Sequence, residues 1–362
     1  MRTTSITTAR PPRRNSEGAE AGFSLIELIV ATALLLIVSS IVTSALLQMT
    51  SAQKTIWNRT EMHSGIRGAT ELLQQEVGQA GRISFPSTVT LNAAVGAATC
   101  NLAAPATNAV TVAVNSSSAG ISAVAGMYAN NVVGNEAYIM LTTMDGDNSE
   151  SFRVASFNAG TTPPTITACF SKAHPAGTVI QPMGGFATGI IPPAGIVNPS
   201  TANVLKLFGD INGDGNMVYV EYTCDNGDAG TVGTHNLYRN VMAFNAAAKP
   251  ALDNSMILLN NIYPNDPDTG GVARPCFKYQ TVTITTGTPA TNFTFVTDVA
   301  VTLTVQTEQI DPVTRQYQKE TKALLNVSPR NVFNTWAYAG LAYTDRIQST
   351  PATVVSLLAP AP

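Results

Sequence analysis

The longest apolar run lies near the N-terminus. From Phe23 to Leu47 the chain reads FSLIELIVATALLLIVSSIVTSALL, with Glu27 as its one charge. A run of about 25 such residues lets a helix cross a hydrocarbon core of ~30 Å. Beyond it the pattern becomes one-sided: Met62, Ile66, Ala69, Leu73, Val77 and Ala80 recur at helical spacing on one face. No proline occurs from Phe23 to Phe85, and Gly81 offers a helix stop. These signals predict a single helix over 23–82, about 90 Å long at 1.5 Å per residue. Its 23–47 portion is membrane-spanning, and its second half packs one face on a domain. Glu71, Gln74, Gln75 and Glu76 read as the solvated face. Gly65 and Gly68 mark either a local bend or close packing against a sheet.

After Pro86 the composition shifts to Ala, Thr, Asn, Val, Gly and Ser, and the periodicity to two. Strands are predicted at Val110–Val114, Ala137–Leu141, Phe152–Phe157, Met217–Thr223 and Phe293–Thr307. The last pairs with Gln316–Val327 across the turn Asp311–Arg315 to form a C-terminal hairpin. The fold class is therefore α+β, with one long helix followed by an antiparallel β-sheet domain over 83–345. Segments 87–131 and 158–200 read as long surface loops, and 346–362 as a loose tail.

Charged residues make up only 12% of the chain and the formal net charge is −3, which argues against nucleic acid as a partner. Arg2, Arg10, Arg13 and Arg14 precede the apolar run and outnumber Glu17 and Glu20. That asymmetry keeps the N-terminal end cytoplasmic and exports the remainder. A secretory signal peptide has a shorter apolar core. A plain single-pass anchor fits the length but leaves Glu27 unexplained, since a carboxylate within the bilayer costs about 2.5–3.5 kcal/mol even on insertion scales.

Gly22-Phe23-Ser24-Leu25-Ile26-Glu27, behind a basic leader and ahead of a long apolar run, resembles the recognition sequence of type IV prepilins and type II secretion pseudopilins. The resemblance implies a type IV pilin-like fold. It also implies a leader over 1–22, removed by prepilin peptidase between Gly22 and Phe23, with N-methylation of Phe23. Glu27 becomes the fifth mature residue. A new amino group and a membrane-buried carboxylate each need a counter-ion, so the terminus of one subunit pairing with Glu27 of another satisfies both and sets register in an assembly. The segment Gly65–Gly81, with Arg67, Leu72-Leu73, Glu76 and Ala80-Gly81, further resembles W-type minor pilins and J-type pseudopilins.

The four cysteines, Cys100, Cys169, Cys224 and Cys276, include no C-x-x-C pair, and the three histidines are far apart, which disfavours zinc. In an exported domain they suit two disulfides, with three connectivities open; sequence order suggests Cys100–Cys169 and Cys224–Cys276. Asp210, Asn212 and Asp214, with Gly215, Asn216 and Glu221, match the D-x-[DN]-x-[DN]-G-x5-E calcium pattern, Asn216 contributing its carbonyl. The flanks read as strands, however, so the same residues also suit a hairpin turn. Asp145-Gly146-Asp147-Asn148 is a weaker acidic turn.

No Walker A, G-x-S-x-G, H-E-x-x-H or G-x-G-x-x-G pattern occurs, so no enzymatic activity is expected. The expected role is a minor pilin: a structural or priming subunit that moves from the inner membrane to a surface pilus and partners prepilin peptidase and other pilins. The rivals are a J-type pseudopilin of type II secretion, a single-pass anchored adhesin, and an exported hydrolase.

Overall fold

A computed structural model describes residues 23–85, 87–101, 104–115, 140–158, 160–225, 235–287, 290–348 and 350–360. The leader 1–22 with Gly22, and the first part of the strand predicted at 137–141, lie outside the described residues. One long helix precedes an antiparallel β-rich domain, so the architecture is α+β.

The helix α1 runs Leu25–Gln79. The described chain divides into two compact units, the first ending at Thr55. Up to that point α1 is a self-contained apolar helix. From Ile56 onward it belongs to the second unit, where Met62, Ile66, Ala69, Leu73 and Val77 are all buried, as their spacing requires. Gly65 packs closely: a Cβ there would lie 3.1 Å from Leu259 Cδ1, whereas Gly68 has open space. Gly81, at φ +80°, ends the helix and donates its N–H to Phe208 O at 2.8 Å.

The β domain is more divided than the one sheet predicted. Strands β1 (Val89–Leu91), β2 (Val110–Asn115), β3 (Met140–Met144), β4 (Ser151–Asn158), β5 (Thr165–Ala168) and β6 (Val179–Pro182) close into a barrel of order β1-β2-β5-β4-β3-β6. The predicted strand Val110–Val114 is β2, while segments read as loops supply β1, β5 and β6. Their apolar positions are short and separated by Pro and Gly, so only closure on one another buries them. Leu91, Val112, Phe152, Val154, Ile166 and Ile180 fill the interior.

After β7 (Gly185–Phe186) come β8 (Val204–Gly209), β9 (Val218–Cys224), β10 (Leu237–Ala243) and β11 (Ile257–Leu259), ordered β11-β10-β9-β8. The third sheet joins β12 (Ile262–Tyr263), β13 (Phe277–Thr286) and β14 (Thr291–Gln306) with β15 (Lys319–Val327). The predicted hairpin is the β14–β15 pair, with Val305 opposite Glu320.

Alternation along β8–β10 separates two cores. Leu205, Leu207, Val220, Tyr222 and Leu237 pack with the α1 stripe, while Phe208, Tyr219 and Met242 pack with the barrel. This middle sheet is buried on both faces.

The chain after β15 departs from the loose tail expected over 346–362. The helix α2 (Arg330–Gly340) is followed by β16 (Ile347–Gln348), which pairs parallel with β7, and by α3 (Ala352–Leu357). Val354, Leu357 and Leu358 are fully buried in the barrel-side core. Three apolar side chains within five residues provide the burial that the weak periodicity concealed.

Candidate functional site

The N-terminal segment is defined by what it leaves uncovered. Every residue from Phe23 to Thr50 is exposed, and Phe23 is 82% exposed just ahead of the first turn of α1. A stretch of this helix reaches a mean hydropathy of 2.6 with none of it buried in the protein. Length and composition allow it to cross a membrane. Leu28 N–H donates to Ser24 O at 3.1 Å, so the helical ladder begins immediately after Phe23.

Glu27 occupies the first turn, where the free N–H groups of the helix favour a negative charge. Among the described residues it has no ion-pair partner. Leu25, Ile26, Leu28 and Ile29 flank it in sequence, so within a bilayer this carboxylate would need a counter-ion.

The Asp/Asn-Gly loop connects β8 to β9. Asp210 is buried; its carboxylate accepts from the Ser84 hydroxyl and lies 3.5 Å from Arg82 Nε. Asp210 Oδ1 also accepts from Gly215 N–H at 3.3 Å, and Asp214 Oδ1 accepts from Asn216 N–H at 2.8 Å. These bonds tie the loop to the segment just after α1.

Glu221 does not join the loop. It lies three residues beyond Val218, where the hairpin register opens, or roughly 10 Å along the strand. Its Oε2 accepts from Lys249 Nζ at 2.6 Å and from the Tyr219 hydroxyl at 2.7 Å. The two-toothed ligand of the calcium pattern is thus committed elsewhere, because a β-strand, unlike a helix, carries position twelve away from the loop. Asn212, Asp214 and Asn216 remain exposed.

The weaker acidic turn has a structural partner. His174, 2% exposed, is held between Asp145 Oδ2 at 3.1 Å from Nδ1 and Glu150 Oε1 at 2.8 Å from Nε2. Glu150 also accepts from the N–H groups of Ser171 and Lys172. Burial alone would raise its pKa; the donors Ser171, Lys172 and His174 outweigh that and hold it below the ordinary glutamate value.

Cys100 is bonded to Cys169 and Cys224 to Cys276, the sequential pairing that chain order suggested. The second bond ties β9 to the residue preceding β13.

Sequence reading misplaced Glu76. It is 3% exposed, and its carboxylate is paired with Arg239 of β10 and accepts from the Tyr222 hydroxyl. The apolar stripe on α1 is wider than the six residues that mark it, and Glu76 sits between Leu73 and Val77 on its margin. A lone arginine in a strand pattern was the available clue.

The family model described as the prokaryotic N-terminal methylation motif matches residues 18–43, a stretch containing Gly22, Phe23 and Glu27. No curated protein and no solved structure matches the chain.

Proposed function

We propose that this chain, a type IV prepilin-like protein by its N-terminal methylation motif, acts as a minor pilin, a structural subunit that joins or primes a type IV pilus. The motif entails processing by prepilin peptidase and assembly with other pilins in general, and the single apolar helix suits a membrane-anchored precursor. The observation that carries the reading is the overlap of the 18–43 match with a stretch, Phe23–Thr50, that is exposed throughout, is largely apolar and has Glu27 as its one charge.

Cleavage after Gly22 frees an amino group at Phe23. In an assembly that cation meets Glu27 of a neighbouring subunit, and the apolar halves of adjacent helices cover one another. The bulk of the domain, with its barrel and two further sheets, favours a sparse position over a densely repeated shaft. Its role is structural, with no catalytic step assigned to any residue.

The test is in two parts. Mass spectrometry of the mature chain is expected to show N-methylated Phe23 as the first residue; an intact arginine-rich leader would overturn the prepilin reading. Sheared surface pili are expected to contain the chain and to lose it in Glu27→Leu. A defect in protein secretion with pili intact would instead place it in a type II secretion pseudopilus.

A further inference from the structure

The face of the middle sheet turned away from α1 carries a polar row inside an otherwise apolar layer. Lys206 on β8 is opposite Glu221 on β9, and Glu221 is opposite Asn240 on β10. Lys249 enters from the segment after β10. All four residues are buried, yet they line one cavity of about 510 Å³ that Thr201, Thr223 and Pro360 also line. That volume lies within the range of small-molecule sites.

The charges do not balance. Lys206 and Lys249 bring two cations, and among the described residues Glu221 is the one carboxylate in the lining. Glu221 is bonded to Lys249 at 2.6 Å, while Lys206 Nζ is 3.9 Å from it and donates to Asn198 O at 3.1 Å and Leu358 O at 2.8 Å. Burial pushes the Lys206 pKa down, Glu221 acts against this, and Lys249 adds to the lowering. A second need is unmet as well. Asn240 donates its amide to Pro250 O at 2.9 Å, but its buried Oδ1 has no hydrogen-bond partner among the described residues. An unpaired buried acceptor costs about 1–3 kcal/mol.

We infer that this cavity binds a small carboxylate that also carries hydroxyl donors, the chemistry of uronic and other sugar acids. The carboxylate neutralises the excess cation of the Lys206–Glu221–Lys249 cluster, and a neighbouring hydroxyl donates to Asn240 Oδ1. Thr201, Thr223 and Asn198 in the lining suit further hydroxyls, and Leu252 supplies an apolar wall. The site is built only because the C-terminal segment packs down: Leu358 O orients Lys206, and Pro360 forms part of the lining. The inference is independent of where the chain assembles.

The test uses the full chain in a polyoxyethylene detergent, titrated with galacturonate and glucuronate by calorimetry and ligand-observed NMR. Binding of a uronate is expected, at least tenfold tighter than galactose, glucose, acetate or glutamate. Lys249→Met is expected to weaken it at least tenfold and Glu221→Gln to strengthen it, opposite signs that general damage to the fold would not produce. Lys206→Met serves as a second cation variant. Absence of uronate binding to the wild-type chain, equal binding of the uncharged sugars or of glutamate, or weakening by Glu221→Gln would each overturn the inference. If Lys249→Met fails to fold, the comparison of charged with uncharged ligands on the wild-type chain decides the matter.

Discussion

Glu76, buried on α1, and Arg239, half-buried on β10, form an ion pair that ties the helix to the middle sheet. Arg239 Nε donates to both carboxylate oxygens, at 3.1 and 3.2 Å, and its Nη2 donates to Oε1. The Tyr222 hydroxyl supplies a further bond. Burial, reinforced by Glu76, pushes the pKa of that hydroxyl up, so Tyr222 stays protonated and remains a donor.

Removing one partner of such a pair is more damaging than removing both. Glu76→Ala should destabilise the full chain in detergent by about 2 kcal/mol, because the buried Tyr222 hydroxyl and the half-buried Arg239 both lose their partner. Glu76→Met combined with Arg239→Met should recover most of that loss. Denaturant unfolding monitored by tryptophan fluorescence measures both. A double variant no more stable than Glu76→Ala would contradict this account.

Acid sensitivity should trace to the pocket around His174. The Glu150 carboxylate has a folded pKa below its ordinary value of 4.5. The unfolded chain therefore binds its proton first, and the stability from Glu150 is fully present above that ordinary value. It is lost as pH falls through the lowered folded value. Glu150→Gln should flatten the acid limb of a stability–pH profile and leave its slope near neutrality unchanged. An acid limb equally steep in the variant would assign acid unfolding to other groups.

The bond between Cys224 and Cys276 closes a separation of 52 residues across two sheets. Replacing both cysteines by serine should cost about 2–4 kcal/mol, read as a lowered denaturant midpoint under oxidising conditions. A midpoint unchanged from the wild type would show that packing of the two sheets is sufficient without the covalent tie.

Packing of the C-terminal segment depends on Gly184, at φ +77°. A Cβ at this position would lie 1.7 Å from Arg346 O. Gly184→Ala should therefore loosen the pairing of β7 with β16 and cost about 2 kcal/mol or more. Hydrogen exchange should show lost protection at Ile347 and Gln348, with β13 and β14 unaffected. Uniform loss across the domain would point to global destabilisation instead.

The sequence by itself determined the elements whose signal is local and continuous. Phe23–Leu47 is apolar beyond what a soluble domain needs, and Met62–Ala80 carries its burial in its spacing, so α1 followed from periodicity alone. The β14–β15 hairpin was legible because two long alternating runs flank one turn. Gly22, Phe23 and Glu27 stood out because a single charge in an apolar run demands a reason.

Tertiary structure alone decided the rest. The barrel strands β1, β5 and β6 are three or four residues long, too short for any period to register, and their burial exists only once the ring closes. Whether Glu76 and Glu221 face water or a cation depended on Arg239 and Lys249, which lie 163 and 28 positions away in the chain. Charge pairing at such separations leaves no local pattern, because a carboxylate is written the same way in sequence whether solvated or buried. Glu27 is the converse case: its need for a partner was plain from the sequence, and the described residues leave that need open.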